Sequence, residues 1–204
     1  MTRIGLTGGI ATGKSTALHL LEEAGAASIE ADQLAHATLE PDTPTWQQVV
    51  ETFGAGILNA DRTVNRSRLG EIVFADEGKR QALNGIIHPR VREMWLERLR
   101  ELEAAGQADT VVSIPLLYEV GAEKQFDCVV AVGCNEQTQL ARLSAMGVSE
   151  PSARARINAQ WPVQSKIDRA DFVIWNDGSL DVLRRQVAII WATIKESYHA
   201  PNKN

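Results

Sequence analysis

Short apolar runs and amphipathic stretches alternate along this chain, and their two periods separate predicted strands from predicted helices. Ile4-Gly5-Leu6 is a compact apolar run that ends in glycines, and Ala17-Leu18-His19-Leu20-Leu21 then repeats at helical spacing. After the turn Ala24-Gly25-Ala26-Ala27, the segment 28–32 predicts a short second strand ending in acid, and 33–40 a helix stopped by Pro41 and Pro44. From 46 to 102 the spacing is helical, broken at Gly54-Ala55-Gly56 and in the polar stretch 59–65. Thr110-Val111-Val112-Ser113-Ile114-Pro115, Cys128-Val129-Val130-Ala131-Val132 and Phe172-Val173-Ile174-Trp175 are continuous apolar runs, the pattern of parallel strands covered on both faces. Helices predicted over 137–146 and 180–198 follow the last two. The expected fold is α/β: a doubly wound, five-stranded parallel sheet in one domain over 1–204. It carries a helical insertion at 33–108, between strands two and three, and a lid at 142–169, between strands four and five.

The turn after the first strand adds chemistry to this pattern. Gly8, Gly13, Lys14 and Ser15 match G-x-x-x-x-G-K-[ST]. The glycines permit backbone angles at which successive N–H groups converge on phosphate oxygens. The helix opening at Lys14 adds free N–H groups and the positive end of its dipole. Lys14 is suited to the β- and γ-phosphates and the Ser15 hydroxyl to Mg²⁺. This is the donor site of a nucleotide-binding protein.

Composition narrows the setting. The chain has 204 residues, 44% hydrophobic and 23% charged, and a net charge of -5, so no overall positive field draws it to nucleic acid or anionic membrane. No segment approaches the apolar length of a membrane span, and the two cysteines, Cys128 and Cys134, are not spaced as a zinc pair. A cytoplasmic protein with reduced thiols is expected, acting as a monomer. Of the five tryptophans, Trp161 is the one expected to be exposed.

Which phosphate chemistry follows depends on the other strand ends. The strand at Val111 ends in Ser113-Ile114-Pro115, without the acid a motor-type ATPase uses for its metal. A GTP switch needs an Asp-x-x-Gly turn, which is absent; Ser165-Lys166-Ile167-Asp168 only echoes a guanine-reading motif. Arg142, Arg154, Arg156, Lys166 and Arg169 cluster between strands four and five, opposed by few acids. This fits a kinase lid that closes guanidinium groups over a transferring phosphoryl group and excludes water, although a solvated helix face has the same composition. Asp32, at a strand end on the side of the phosphate loop, can serve as general base, help hold Mg²⁺ through water, or cap the following helix. His88, before Pro89, reads from composition as a turn residue, and Arg66 and Arg68 as solvated helix starts.

Together the motifs resemble dephospho-CoA kinases. The likeness runs through Gly5-Leu6-Thr7-Gly8-Gly9-Ile10, Gly13-Lys14-Ser15-Thr16, Ala31-Asp32, Arg66, Val73-Phe74 and His88-Pro89. It continues through Pro115-Leu116-Leu117-Tyr118-Glu119, Gln139-Leu140-Ala141-Arg142-Leu143, Arg156-Ile157-Asn158-Ala159-Gln160 and Ala170-Asp171-Phe172-Val173-Ile174, with Asn176 and Gly178. The resemblance implies phosphorylation of the 3′-hydroxyl of dephospho-coenzyme A by MgATP, the last step of coenzyme A biosynthesis. It implies Asp32 as the base, with Lys14 and Arg142 also catalytic. ATP is implied at Gly9, Ile10, Ala11, Thr12, Gly13, Lys14, Ser15, Thr16, Arg142, Asn176 and Gly178, and the metal at Ser15 and Asp32. The acceptor is implied at Thr7, Asp32, Arg66, His88, Leu116, Leu117, Tyr118 and Lys166. Two positions depart from the family pattern: Glu30 stands where an aspartate is usual, and Met146 where an arginine is common one turn beyond Arg142. Arg154 or Arg156 is the expected compensation.

Overall fold

The computed structural model describes residues 1–106 and 109–199. The chain divides into two compact units, Met1–Ile29 with the chain from Glu101 onward, and Glu30–Arg100.

The first unit is built on a five-stranded sheet of β1 (Thr2–Gly8), β2 (Ala27–Glu30), β3 (Asp109–Ser113), β4 (Cys128–Gly133) and β5 (Phe172–Trp175), in the order β2-β3-β1-β4-β5. β1 lies between β3 and β4 and pairs with both in parallel, Leu6 opposite Ser113 and Gly8 opposite Val132. β5 adds in parallel to β4, Gly133 opposite Trp175. This register brings the ends of β1, β3, β4 and β5 to one edge of the sheet, where ligands bind in such folds.

The core follows from the apolar runs. Ile4, Leu6, Val111, Val130, Val132 and Ile174 are buried, and α1 (Lys14–Glu23) packs Ala17, Leu18, Leu20 and Leu21 on them. α9 (Leu180–His199) presents Leu183, Val187, Trp191 and Ile194, one stripe at helical spacing, to the same core. The Trp191 indole N–H donates to the Ala24 carbonyl at 3.1 Å, tying α9 to the end of α1.

The second unit has a core of its own. Its helices are α2 (Ala31–Thr38), α3 (Pro44–Phe53), α4 (Arg66–Ala75) and α5 (Glu77–Ala104), the last running on into the first unit. Trp46, Val49, Ile57, Val64, Leu69 and Val73 close on one another. Thr43 and Asn65 cap α3 and α4 by accepting the N–H groups of Trp46 and Arg68. The Trp46 indole donates to the Arg62 carbonyl at 3.0 Å, and Arg62 pairs with Asp42 at 2.6 Å.

Three expectations need correction. The second strand ends at Glu30, and Asp32 lies in the first turn of α2, because the chain passes from extended Glu30 (φ -102°, ψ 110°) straight into helix with no loop between. His88-Pro89 is no turn: both lie inside α5, whose chain tolerates the missing Pro89 N–H where the carbonyl four residues back belongs to exposed Gly85. Trp161 is half-buried, whereas Trp175, on edge strand β5, is 43% exposed. The expected insertion at 33–108 ends at Gln107 and Ala108, which lie outside the described residues, as does the polar tail beyond His199. The segment 142–169, expected to be a lid, contains the end of α6 (Glu136–Ala145), then α7 (Glu150–Asn158) and α8 (Val163–Ile167).

Candidate active site

The segment after β1 turns by means of two left-handed residues, Ala11 (φ 58°) and Gly13 (φ 95°), and α1 starts at Lys14. Among the described residues no side chain caps α1 and no acid stands in its first turn, so its N–H groups and positive dipole end suit an anion. Ser15 and Thr16 are exposed there. Lys14 rests with Nζ 2.7 Å from Ser113 Oγ, at the end of β3.

A ring of side chains holds this loop from behind. Asn176, 6% exposed, donates from Nδ2 to the Thr12 carbonyl at 2.8 Å. A Cβ on Gly13 would stand 2.1 Å from that same nitrogen, so the left-handed position also has no room for a side chain. Arg142 on α6 donates to the Ala11 carbonyl at 3.0 Å and to the Asn176 carbonyl at 2.8 Å, bridging the phosphate loop to the turn after β5. Gly178 is exposed in that turn. Two glutamines grip the backbone of Ile10: Gln139 donates to its carbonyl at 2.7 Å, and Gln160 accepts its N–H at 2.9 Å. Gly9 packs against Val163 and Gln139 too closely to admit a β-carbon.

The turn after β3 is organised differently. Leu116 is half-buried, but Leu117 is fully buried and sits where a Cβ on Gly5 would need to be, 2.7 Å away. Tyr118 is 7% exposed and stacks on Trp161 with ring centroids 6.3 Å apart. Burial pushes its phenol up to about 12. Thr7, 0% exposed, donates its hydroxyl to the Pro115 carbonyl at 3.2 Å. Lys166, also 0% exposed, donates to that carbonyl at 2.6 Å and pairs with Glu119 at 2.8 Å. Desolvation pulls its ammonium below the usual lysine range while Glu119 holds it up. Of the acceptor residues expected on the first unit, four therefore point inward as one knot around Pro115 and Glu119, and Leu116 keeps an accessible surface.

In the second unit Asp32 is exposed in the first turn of α2, Arg66 is exposed at the start of α4, and His88 is half-buried on α5. In the basic run between strands four and five, Arg142 braces backbone carbonyls, while Arg154, Lys166 and Arg169 are matched by acids or an aromatic ring. Arg154 pairs with Glu136 at 2.9 Å and Glu150 at 2.8 Å, Lys166 pairs with Glu119, and Arg169 lies 5.0 Å over the Trp161 ring. Met146, where the family pattern has arginine, is 71% exposed.

Sequence reasoning gave no role to Gln139, Gln160 or Ser113, and took in Glu119 only as the end of the turn expected to contact the acceptor. Gln139 carried a faint signal, a polar residue one turn before Arg142 on the same face of α6. Gln160 carried only its place at the end of the motif Arg156-Ile157-Asn158-Ala159-Gln160, which named no role for it.

A parallel sheet whose first strand feeds a lysine-bearing helix start, braced by a guanidinium on α6, defines a phosphate-loop kinase of the α/β class. The family model described as dephospho-CoA kinase matches residues 2–181. The chain is 46% identical over 193 residues to the dephospho-CoA kinase of Symbiobacterium thermophilum, covering 94% of this chain and 80% of that one. Among solved structures it is similar to the Thermus thermophilus protein TT1252, with a TM-score of 0.76 and 32% identity over 95% of this chain and 97% of that one. It is also similar to the dephospho-CoA kinase from Campylobacter jejuni, with a TM-score of 0.69 and 28% identity over 96% and 98% of the two chains. This chain belongs to the dephospho-CoA kinase family.

Proposed function

We propose that this protein transfers the γ-phosphoryl group of ATP to the 3′-hydroxyl of dephospho-coenzyme A, giving coenzyme A and ADP. The observation that carries the donor half is the open start of α1, uncapped and free of acid, behind a loop whose glycine has no room for a side chain. Family membership carries the acceptor half.

In this reading the backbone from Gly9 to Thr16 holds the ATP phosphates, and Lys14 leaves Ser113 to meet the charge that develops on the transferring group. Arg142, Asn176 and Gly178 complete the ATP site beside the loop, Arg142 also serving in catalysis. The residues fit a magnesium ion carried in on the triphosphate: Ser15 offers an exposed hydroxyl. Phosphates and waters supply most of the ligands of such an ion. The ion supplies neutralisation of phosphate charge when bound.

Asp32 orients the acceptor hydroxyl and takes its proton as the bond to phosphorus forms and the bond to the ADP oxygen breaks. Arg66, His88 and Leu116 contact the acceptor. Thr7, Leu117, Tyr118 and Lys166 support the turn that carries Leu116 instead of touching ligand, because their polar atoms and surfaces face inward. The protein acts in the cytoplasm as a monomer, on MgATP and dephospho-coenzyme A, without nucleic acid or membrane. Among the described residues no helix is long and apolar enough to cross a membrane.

The test is an acceptor panel. The purified protein is given MgATP with dephospho-coenzyme A, a set of nucleosides or a set of sugars, and products are followed by mass. Phosphate added to dephospho-coenzyme A, at a kcat/KM at least about a hundredfold above any other acceptor, is expected of this family. Phosphate passing to a nucleoside instead, or nucleotide binding with no acceptor turnover, overturns the reading.

A further inference from the structure

Gln160 and Trp161 are consecutive, yet each reaches a different loop of the first unit. Gln160 Oε1 accepts the Ile10 N–H of the phosphate loop at 2.9 Å. The Trp161 N–H donates to Glu119 Oε1, on the turn after β3, at 2.9 Å. Five residues further on, Lys166 closes the second attachment by donating to both Glu119 and the Pro115 carbonyl. The segment 160–166 is thus fastened to the donor loop at one end and to both ends of the Pro115–Glu119 turn along the rest of its length.

We propose that this strap aligns the two substrates, with Gln160 as the positioning residue for the phosphate loop and Glu119 as the positioning residue for the acceptor turn. The proposal rests on the functional reading above and gives roles to two residues it does not use.

Two features separate alignment from plain stability. A buried ion pair is a poor device for stabilising a fold, since apolar residues of similar volume do as well or better. The Glu119–Lys166 pair is also incompletely satisfied: Glu119 Oε2 is buried with no hydrogen-bond partner among the described residues. What the pair does supply is direction, because Lys166 and the Trp161 N–H converge on one carboxylate oxygen and fix the turn's end. At the other end, Gln160 holds the N–H of the Gly9–Ile10 peptide and Gln139 the carbonyl of the Ile10–Ala11 peptide, immediately before left-handed Ala11. An unheld peptide there would be free to rotate and carry the phosphate-binding backbone with it.

The experiment is a pair of variants with opposite expected selectivity, read by steady-state kinetics against each substrate and by thermal melting. Gln160→Ala should raise the KM for ATP about tenfold and leave the acceptor KM within about twofold; Glu119→Gln should do the reverse. Because Glu119→Gln leaves the buried Lys166 charge without its partner and lowers Tm, the double variant Glu119→Gln/Lys166→Met is made as well. It should recover most of the Tm while the acceptor KM stays raised. The proposal is overturned if both KM values rise together in each single variant in step with Tm, or if the acceptor KM returns to the wild-type value in the double variant. A wild-type protein that does not turn over dephospho-coenzyme A overturns the functional reading first, and shows it before any variant is compared.

Discussion

The loop after β1 and the turn after β3 stand at the same edge of one sheet, yet they are built on opposite plans. The phosphate loop keeps its working groups outward, with an uncapped helix start and exposed Ser15 and Thr16, and is braced from behind by Gln139, Arg142, Gln160 and Asn176. The turn after β3 sends Leu117, Tyr118 and, through Pro115 and Glu119, Lys166 inward, and leaves Leu116 accessible. The difference shows how a motif residue can matter in two ways. Backbone N–H groups grip a phosphate whatever the side chains are, so a donor loop needs space and support. The turn after β3, which we propose meets the acceptor, offers side-chain surface, so its position depends on the residues packed behind it.

Truncating the two adjacent leucines should expose this plan most sharply. Leu117→Ala removes a fully buried side chain and should cost roughly 2–5 kcal/mol in denaturant unfolding. Leu116→Ala should cost less than about 1 kcal/mol and act on the acceptor KM instead. Equal destabilisation by both would erase the distinction. On the donor side, Gly13→Ala places a methyl 2.1 Å from Asn176 Nδ2 at a φ of 95°. It should weaken ATP binding by about 2–3 kcal/mol, measurable by calorimetry, through backbone strain and a displaced Asn176.

Alkaline unfolding compares the interiors behind the two loops. Burial raises Cys134, beside the donor loop, from the usual 9 to about 11, with Arg142 pulling it back, and raises Tyr118, in the acceptor knot, from 10 to about 12. Cys128, in β4, is raised to about 12 for the same reason. The folded chain keeps protons that the unfolded chain releases, so these groups contribute their full stability below pH 9 and lose it as pH climbs through 11 and 12. Unfolding free energy should fall steadily above pH 9, and both thiols should react slowly with a disulfide reagent at pH 8 until the chain is unfolded. Rapid labelling of Cys134 in the folded protein would contradict the buried setting. The smallest effect is expected at Ala11, whose left-handed φ of 58° glycine adopts without strain. Ala11→Gly should change stability by less than about 1 kcal/mol, toward stabilisation, since strain relief outweighs the entropy glycine adds to the unfolded chain.

How legible each loop was in the sequence follows from the same contrast. Gly8, Gly13 and Lys14 dictate a backbone path through local geometry, so the donor loop could be read in order from residues a few positions apart. The sheet was legible for a similar reason, because runs such as Cys128-Val129-Val130 are apolar on both faces only when a strand is covered on both. The acceptor turn was visible as a motif but not as a structure. Whether Leu117 or Leu116 faces the interior depends on the space above Gly5, and Lys166 became a buried strut only because Glu119, 47 positions earlier in the chain, met it. The end of β2 was misplaced because nothing between Glu30 and Ala31 signals a turn. His88 before Pro89 read as a turn residue because a sequence does not show that the carbonyl Pro89 leaves unpaired lies at an exposed glycine.

In the proposed function, gripping the donor and activating the acceptor fall to different groups, the loop from Gly9 to Thr16 and the carboxylate of Asp32. Asp32→Asn, with kcat measured on dephospho-coenzyme A and the ATP Kd measured by calorimetry on the same preparation, tests it most directly. The expected result is a kcat lowered by about 10²–10⁴ with the ATP Kd within about twofold of wild type. A kcat within about threefold of wild type, or an ATP affinity that falls along with turnover, would contradict it.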